Sequence, residues 1–264
     1  MASKQNQSEP TGYELSETEV DQFYEEGYLG PIKACSPEVA QEFADRFQSE
    51  ILTGEYPRSH TGASPRHDRH LDSSCVYEFI TNPKIVDKIR SLYGPNLLLW
   101  TSHFWEKESG DEGVPWHQEQ HFNAIEPPIT ATLDLALDPY SEESGCFQVI
   151  PGSHKEFIPH TEAGDAESQG IADSGYVDET DAISVELQPG EFLVYNTRLL
   201  HRTLKNNTDR NRRTISCRIT TPLVDIDTDS PLLYDEHEAV MIAGTDWNGR
   251  NETTSPPEKT DGSR

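Results

Sequence analysis

The stretch Ile129-Thr-Ala-Thr-Leu-Asp-Leu-Ala-Leu137 decides the fold, because apolar and polar side chains alternate along all of it. Successive side chains of a β-strand point to opposite faces of the sheet. The apolar residues therefore share one face, and Thr130, Thr132 and Asp134 share the other. A period of two over nine residues favours a strand over a helix.

Further short strands are expected on both sides of this stretch. Their apolar cores are Leu97–Trp105, Phe147–Ile150, Phe192–Tyr195 and Ile215–Ile219. Turn signals separate the strands, such as Glu143-Ser-Gly145 and Pro189-Gly190. Helical patterns do not alternate with these strands, and neither a GxGxxG motif nor a P-loop occurs, which disfavours a doubly wound nucleotide-binding sheet. Short, punctuated strands instead favour a β-sandwich or a jelly roll.

Three amphipathic helices are expected before the first of these strands. Ser16 begins a capping box with Glu19, Ser36-Pro37 begins the second helix, and Asn82-Pro83 begins the third. The fold class is therefore mainly β with flanking helices. We expect a disordered N-terminal tail over residues 1–12 and a single domain over residues 13–244, with its jelly roll from about residue 95. We expect a flexible tail over residues 245–264 because that segment is rich in polar residues.

The net charge of the chain limits the binding partners that we expect. The 264 residues include 21 Lys and Arg against 47 Asp and Glu, so the formal net charge is −26. Such a surface repels nucleic acid and anionic membranes, and no apolar run is long enough to span a bilayer. The four cysteines show neither a disulfide framework nor a metal knuckle, which favours reduced thiols and a cytoplasmic location.

A histidine two residues before an acid can offer two metal ligands from one strand face. Four such pairs occur, so the spacing by itself cannot choose among them: His70/Asp72, His117/Glu119, His154/Glu156 and His160/Glu162. The pair His117 and Glu119 gains context from His201, which follows a short buried strand and is expected to return from the opposite side of a barrel. Two histidines and one carboxylate on one face of an ion suit non-heme Fe(II).

Arg212 is a candidate residue for binding a carboxylate ligand. A buried arginine can bind a carboxylate through two parallel hydrogen bonds, and Thr214 points to the same strand face. Other interpretations stay open from these residues alone. His117 and Glu119 can form an ordinary polar pair, His201 can lie in a loop, and Arg212 can belong to a solvated basic patch with Arg210 and Arg213.

Three segments together resemble the phytanoyl-CoA dioxygenase family of Fe(II)/2-oxoglutarate oxygenases. They are Trp116-His-Gln-Glu119, Gly145-Cys-Phe-Gln-Val-Ile-Pro-Gly-Ser-His-Lys155, and His201 followed by Arg212-Arg-Thr-Ile-Ser-Cys217. The opening Phe23-Tyr-Glu-Glu-Gly-Tyr28 also resembles the family's N-terminal entry, a helix followed by a strand. The resemblance implies a double-stranded β-helix, a cupin-like jelly roll, with helices along one side.

Carried over by position, the resemblance makes His117, Glu119 and His201 the iron ligands. It makes Arg212 the anchor for the distal carboxylate of 2-oxoglutarate, helped by Thr214. The implied cofactor is Fe(II), with 2-oxoglutarate and O₂ as co-substrates. The family usually has Asp where this chain has Glu119. The retained carboxylate argues against the related halogenases, which lack it.

We therefore expect a dioxygenase, most often a hydroxylase, that oxidises an unactivated C–H bond of a small-molecule metabolite in a biosynthetic pathway. 2-Oxoglutarate is decarboxylated to succinate and CO₂. We expect a monomer or weak homo-oligomer with no nucleic-acid or membrane partner. Two alternatives stay open: a cupin-like metalloenzyme without 2-oxoglutarate, and a non-catalytic small-molecule binding protein on the same scaffold. Only the first expectation needs a buried Arg212 beside the metal.

Overall fold

Four α-helices and fourteen strands make up the described part of the chain. This computed structural model describes residues 12–53, 65–122, 124–161, 170–230 and 237–259. The helices are α1 (Glu17–Glu26), α2 (Pro37–Arg46), α3 (Ser74–Ile80) and α4 (Pro83–Tyr93). The strands are β1 (Tyr28–Lys33), β2 (Leu97–Lys107), β3 (Ile125–Glu126), β4 (Thr130–Ala136), β5 (Phe147–Val149), β6 (His160–Thr161), β7 (Ile171–Ala172), β8 (Ile183–Val185), β9 (Glu191–Asn196), β10 (His201–Thr203), β11 (Arg212–Thr220), β12 (Asp225–Ile226), β13 (Ala239–Ala243) and β14 (Thr253–Thr254).

The three predicted helix starts are confirmed. The Ser16 hydroxyl accepts a hydrogen bond from the Glu19 amide, and the Glu19 carboxylate accepts one from the Ser16 amide. Ser36 and Asn82 cap α2 and α4 with their side chains. Gly27 ends α1 in the left-handed conformation at φ 87°, where a residue without a Cβ is favoured. These local signals place the helices that support the sheet.

Seven strands form the main sheet, in the order β1-β9-β4-β11-β2-β13-β14. β4 lies between β9 and β11 and pairs antiparallel with both, so that Leu133 stands beside Val194 and Cys217. All three of these side chains belong to the apolar cluster that also contains Phe23 and Phe43 of the helices. The alternation along Ile129–Leu137 therefore has its predicted effect, because one face of β4 packs against the helix layer.

A smaller sheet completes the jelly roll. It has the order β10-β5-β8, and two further pairs, β12-β3 and β6-β7, lie outside the two larger sheets. Side chains from both sheets line one cavity, among them Phe147 of β5 and Thr132 of β4. The predicted fold class, mainly β with flanking helices and a jelly-roll core, is confirmed. Within the described residues, no helix is both long enough and apolar enough to cross a bilayer.

Some elements differ from the expectations. The short helix α3 is not predicted from the sequence. The sequence of edge strand β1 shows little alternation, and only the resemblance, through its helix-and-strand entry, implies a strand there. The expectation of a flexible tail over residues 245–264 is wrong for the central part of that segment. β14 pairs in parallel with β13, and the Asn251 side chain accepts a hydrogen bond from the Ile226 amide at 2.9 Å. The N-terminal tail, residues 1–12, lies outside the described residues except for Gly12.

The stack of Phe47 on Phe104 joins the helix layer to the main sheet. The two ring centroids lie 4.1 Å apart with the planes almost parallel, and both residues are at most 1% exposed. Phe104→Ala should lower the free energy of unfolding by about 3–5 kcal/mol, because it leaves a cavity between sheet and helices. Urea denaturation measures this loss. Val39→Ala, on the exposed side of α2, is the control and should change stability by less than about 0.5 kcal/mol.

Candidate metal centre

A backbone bridge brings the two candidate histidine ligands together. His117 and His201 form an isolated antiparallel pair, with the His117 amide donating to the His201 carbonyl at 3.0 Å and the reverse bond at 3.1 Å. His201 begins β10, so the two histidines are neighbours. The expectation that His201 returns from the opposite side of a barrel is therefore wrong.

The turn after His117 places Glu119. Instead of continuing a strand, the chain enters a 3₁₀ turn at Glu119–Phe122, so the expectation of a regular strand through His117 and Glu119 is also wrong. Gln118, which is fully buried, holds this turn. Its amide group donates to the carbonyls of Glu156 and Arg198, and its side-chain oxygen accepts from the Ile158 amide. Sequence reasoning missed Gln118, because a lone glutamine between two candidate ligands gives no signal of its own.

The three candidate ligand side chains converge on one point. His117 Nε2 lies 3.3 Å from Glu119 Oε1, and His201 Nε2 lies 3.7 Å from the same oxygen. All ligand atoms lie within 4.8 Å of one another, and all three residues are buried. Two imidazole nitrogens and one carboxylate oxygen on one side of a small space make a set that fits a divalent ion with open positions.

Both imidazoles present the correct nitrogen to this space. His117 Nδ1 lies 2.8 Å from the Pro115 carbonyl, and His201 Nδ1 lies 2.9 Å from the Leu199 carbonyl. A carbonyl oxygen only accepts hydrogen bonds, so Nδ1 carries the proton on each ring. Each Nε2 then carries the lone pair, the atom that binds a metal in histidines whose other ring nitrogen is held by a hydrogen bond.

Ionisation states also suit metal binding. Burial, followed by the neighbouring His117, lowers the pKa of His201 and so favours its neutral form. Burial by itself opposes ionisation of Glu119, but the Arg218 charge, with smaller contributions from the neighbouring histidines, outweighs it and holds the pKa of Glu119 well below its usual value. A neutral imidazole and an ionised carboxylate are the forms that bind metals.

Arg218 is a functional candidate that sequence reasoning missed. Its Nη2 donates to Glu119 Oε2, the carboxylate oxygen that faces away from the histidines. Arg212, Thr214, Ser216 and Arg218 alternate along β11, and all four line the cavity. This polar alternation is the signal that would have pointed to Arg218.

The cavity next to the three ligands has a volume of about 370 Å³. Arg212 lies in its wall, only 5% exposed, with its guanidinium carbon 3.9 Å from the centre of the Tyr140 ring. Among the described residues, neither Nε nor Nη1 of Arg212 has a hydrogen-bond partner. Thr214 lines the same wall. An unpartnered buried guanidinium fits a carboxylate ligand, because leaving it unpaired is costly.

The neighbouring arginines have other roles. Arg213 points to the other side of β11, where Nε and Nη2 donate to the two carboxylate oxygens of Asp138, both at 2.8 Å. The Arg210 side chain is 89% exposed. The interpretation of a single solvated basic patch is therefore wrong for Arg212, which is buried and separate from both.

Lys107 stands beside Arg212 on the adjacent strand β2. Its ammonium group donates to the Glu112 carbonyl at 2.6 Å and lies 3.4 Å from the Thr203 hydroxyl. Burial, followed by the charge of Arg212, lowers the pKa of Lys107 to about 8. At neutral pH the cavity wall therefore carries two adjacent cations, of which sequence reasoning found only Arg212.

This chain is similar in sequence to known dioxygenases. The family model described as Phytanoyl-CoA dioxygenase (PhyH) matches residues 23–214. The Caenorhabditis elegans protein named "Probable phytanoyl-CoA dioxygenase" is 27% identical over 229 residues, which cover 74% of this chain and 72% of that protein. The dioxygenase lolE1 of Epichloe uncinata is 28% identical over 127 residues, which cover 48% of this chain and 47% of that protein.

Solved structures agree with the fold. CytC3 with Fe(II) and alpha-ketoglutarate superposes with a TM-score of 0.72 at 26% identity, covering 92% of this chain and 94% of that one. The non-heme monooxygenase ThoJ in its apo form gives a TM-score of 0.74 at 23% identity, covering 90% and 88%. The similarity to ThoJ shows the fold alone. CytC3 is a neighbour whose structure contains Fe(II) and alpha-ketoglutarate.

Asp134 generates a stability prediction. It is buried on the cavity face of β4, and its Oδ2 accepts a hydrogen bond from the Tyr195 hydroxyl at 3.0 Å. Burial raises its pKa to about 7, so the folded protein binds a proton between about pH 4 and 7 that the unfolded chain releases. The ionised carboxylate therefore costs stability increasingly as the pH rises to 7.

Asp134→Asn should remove this cost. Measured by urea denaturation with a chelator present, the variant should gain stability over the parent protein between pH 5 and pH 8 by about 2 kcal/mol. Asp209→Asn, at a carboxylate whose side chain is 95% exposed, is the control. If the free energies of unfolding of Asp134→Asn and the parent differ by the same amount at pH 5 and at pH 8, Asp134 does not titrate in this range.

Proposed function

This chain belongs to the phytanoyl-CoA dioxygenase family of Fe(II)/2-oxoglutarate-dependent dioxygenases, and on that premise we propose that it hydroxylates an unactivated C–H bond of a small-molecule metabolite. The reaction consumes O₂ and converts 2-oxoglutarate to succinate and CO₂. One observation carries the proposal. Three metal-ligand atoms converge in a buried cavity whose wall holds the unpartnered guanidinium of Arg212.

His117, Glu119 and His201 would hold the iron through His Nε2, Glu Oε1 and His Nε2. Bound Fe(II) supplies the redox chemistry that couples the oxidative decarboxylation of 2-oxoglutarate to the oxidation of a C–H bond. Three protein ligands on one face leave positions for the co-substrates. The carbonyls of Pro115 and Leu199 keep both rings in the required tautomer, so the protein holds the donor set ready before the metal binds.

Arg212 would bind the distal carboxylate of 2-oxoglutarate. Its Nε and Nη1, which have no hydrogen-bond partner among the described residues, are charged donors that a carboxylate can accept. Tyr140 packs on the guanidinium and fixes its plane, and Thr214 adds a hydroxyl on the same wall. Lys107 adds a second positive charge, which favours a dianionic acid over a neutral one.

The substrate would enter the same cavity. Its volume of about 370 Å³ lies within the range of small-molecule sites and holds a metabolite rather than a macromolecule. Glu106, Asp111 and Glu112 also line it, which disfavours the phosphates of an acyl-CoA and favours a neutral or cationic compound. The net charge of −26 supports a protein that acts without nucleic-acid or membrane partners, as a monomer or weak homo-oligomer. The free cysteines support a cytoplasmic location.

The two alternative functions receive less support. A metalloenzyme without 2-oxoglutarate has no use for a buried, unpartnered Arg212 opposite its metal. A non-catalytic binding protein has no need of three prearranged metal ligands with positions left open. Both features are retained here, so we place the dioxygenase first.

His201→Ala should abolish succinate formation in the presence of Fe(II), O₂ and 2-oxoglutarate, because one imidazole of the proposed iron site is lost. His154→Ala, which removes a histidine that bonds the Tyr24 carbonyl and is not among the described residues lining the cavity, should leave the rate unchanged. Circular dichroism checks that both variants are folded. Succinate formation by folded His201→Ala at the parental rate would remove His201 from the proposed site.

Arg212→Gln should raise the KM for 2-oxoglutarate by about 10- to 100-fold, the loss expected when a charged hydrogen-bond pair is removed. Arg210→Gln is the matched control. The Arg210 side chain is 89% exposed and lies outside the cavity, so this variant should leave the KM unchanged. Succinate release measured against 2-oxoglutarate concentration gives both constants. An unchanged KM in Arg212→Gln would contradict the proposed co-substrate site.

A screen of candidate metabolites tests the reaction itself. A substrate should gain one oxygen atom by mass spectrometry, in step with succinate release. Loss of two hydrogens without a gain of oxygen would replace hydroxylation with desaturation.

A further inference from the structure

We propose that Arg218 is a positioning residue that orients the Glu119 carboxylate so that only Oε1 faces the metal position. The inference rests on the proposed function, since it assumes that Glu119 is a metal ligand. It goes beyond that function by giving a role to a residue outside the three ligands and outside the co-substrate pocket.

The two oxygens of Glu119 have different partners. Oε1 lies 3.3 Å from His117 Nε2 and 3.7 Å from His201 Nε2, whereas Oε2 accepts a hydrogen bond from Arg218 Nη2. A partial rotation of the carboxylate would stretch or break the ion pair, whereas exchange of its two equivalent oxygens restores the same arrangement. Arg218 therefore keeps one oxygen engaged and leaves the other facing the metal position.

Arg218 is itself held by the sheet. It lies in β11, paired in register with Thr101 of β2 on one side and Thr132 of β4 on the other. Its Nη1 also donates to the Thr101 hydroxyl at 3.3 Å. The guanidinium thus comes from the centre of the main sheet, while Glu119 comes from a short 3₁₀ turn. A rigid element constrains a side chain that its own backbone holds less firmly.

The length of the Glu119 side chain explains why the ion pair with Arg218 is needed. Glutamate has one more rotatable bond than aspartate, so its carboxylate loses more conformational freedom when it is fixed. A buried carboxylate also needs a charged or hydrogen-bonded partner. Arg218 meets both requirements with one planar group, because it neutralises Glu119 and limits the directions in which its oxygens can point.

The test compares metal binding in variants of the full-length protein after removal of bound metal. Arg218→Met keeps much of the side-chain length but has neither charge nor donors. Arg218→Lys keeps the charge and lacks the planar fork. Arg213→Met is the matched control, because it removes another partly buried arginine–carboxylate pair of the same strand, that with Asp138, on the face away from the cavity.

Two readouts are measured without turnover: the affinity for Mn²⁺ by calorimetry and the visible absorption spectrum of the Co²⁺-loaded protein. Arg218→Met should bind Mn²⁺ about tenfold or more weakly, the range seen when a partner of a metal ligand is lost, and should alter the Co²⁺ spectrum. Arg218→Lys should fall between it and the parent. Arg213→Met should match the parent in both readouts even if its melting temperature falls.

An Arg218→Met affinity within twofold of the parent, with an unchanged Co²⁺ spectrum, overturns the proposal. Tighter binding also overturns it, because Arg218 would then act only by repelling the metal. If Arg218→Met does not fold, Arg218→Lys decides, and parental values in both readouts reject the positioning role. Failure of the proposed metal centre is recognised separately, because His201→Ala would then bind Mn²⁺ as tightly as the parent.

Discussion

Two backbone hydrogen bonds between His117 and His201 are the constraint on which the site depends. They join the segment that follows β2 to the first residue of β10, and they set both imidazoles side by side with their ring centroids 4.1 Å apart. Because each ring also bonds a carbonyl two residues before it, the backbone fixes both the position and the tautomer of each histidine. Without the bridge, the carboxylate of Glu119 would have no pair of nitrogens to face.

β11 links the stability of the fold to the chemistry of the cavity. Ile215, Cys217 and Ile219 on one face are buried in the cluster shared with the helices. Residues of the other face, including Arg212 and Arg218, line the cavity. Because the side-chain period of a strand is two, a register shift of one residue would bury the arginines in the apolar core and turn the apolar residues into the cavity. Core packing therefore fixes the register that positions the charges.

The interior charges are arranged by function in a protein whose surface is strongly acidic. Arg218 is paired with a carboxylate inside the structure, whereas Arg212 keeps donors without a partner among the residues described. An unpaired buried guanidinium reduces stability until a ligand arrives, and binding of a dicarboxylate then recovers that free energy. Stability and ligand recognition thus compete at Arg212 and cooperate at Arg218.

The sequence by itself determined the starts of three helices, the two faces of β4 and the set of motifs that resemble the family, because caps, alternation and motifs depend on residues close together in the chain. Only the tertiary structure decided that Glu119 lies in a turn rather than a strand, which of three neighbouring arginines is buried and unpartnered, and that Arg218 bonds a carboxylate 99 residues away. These facts depend on strand register and on how the turn at Gln118 packs, and both are set by contacts between segments far apart in the chain.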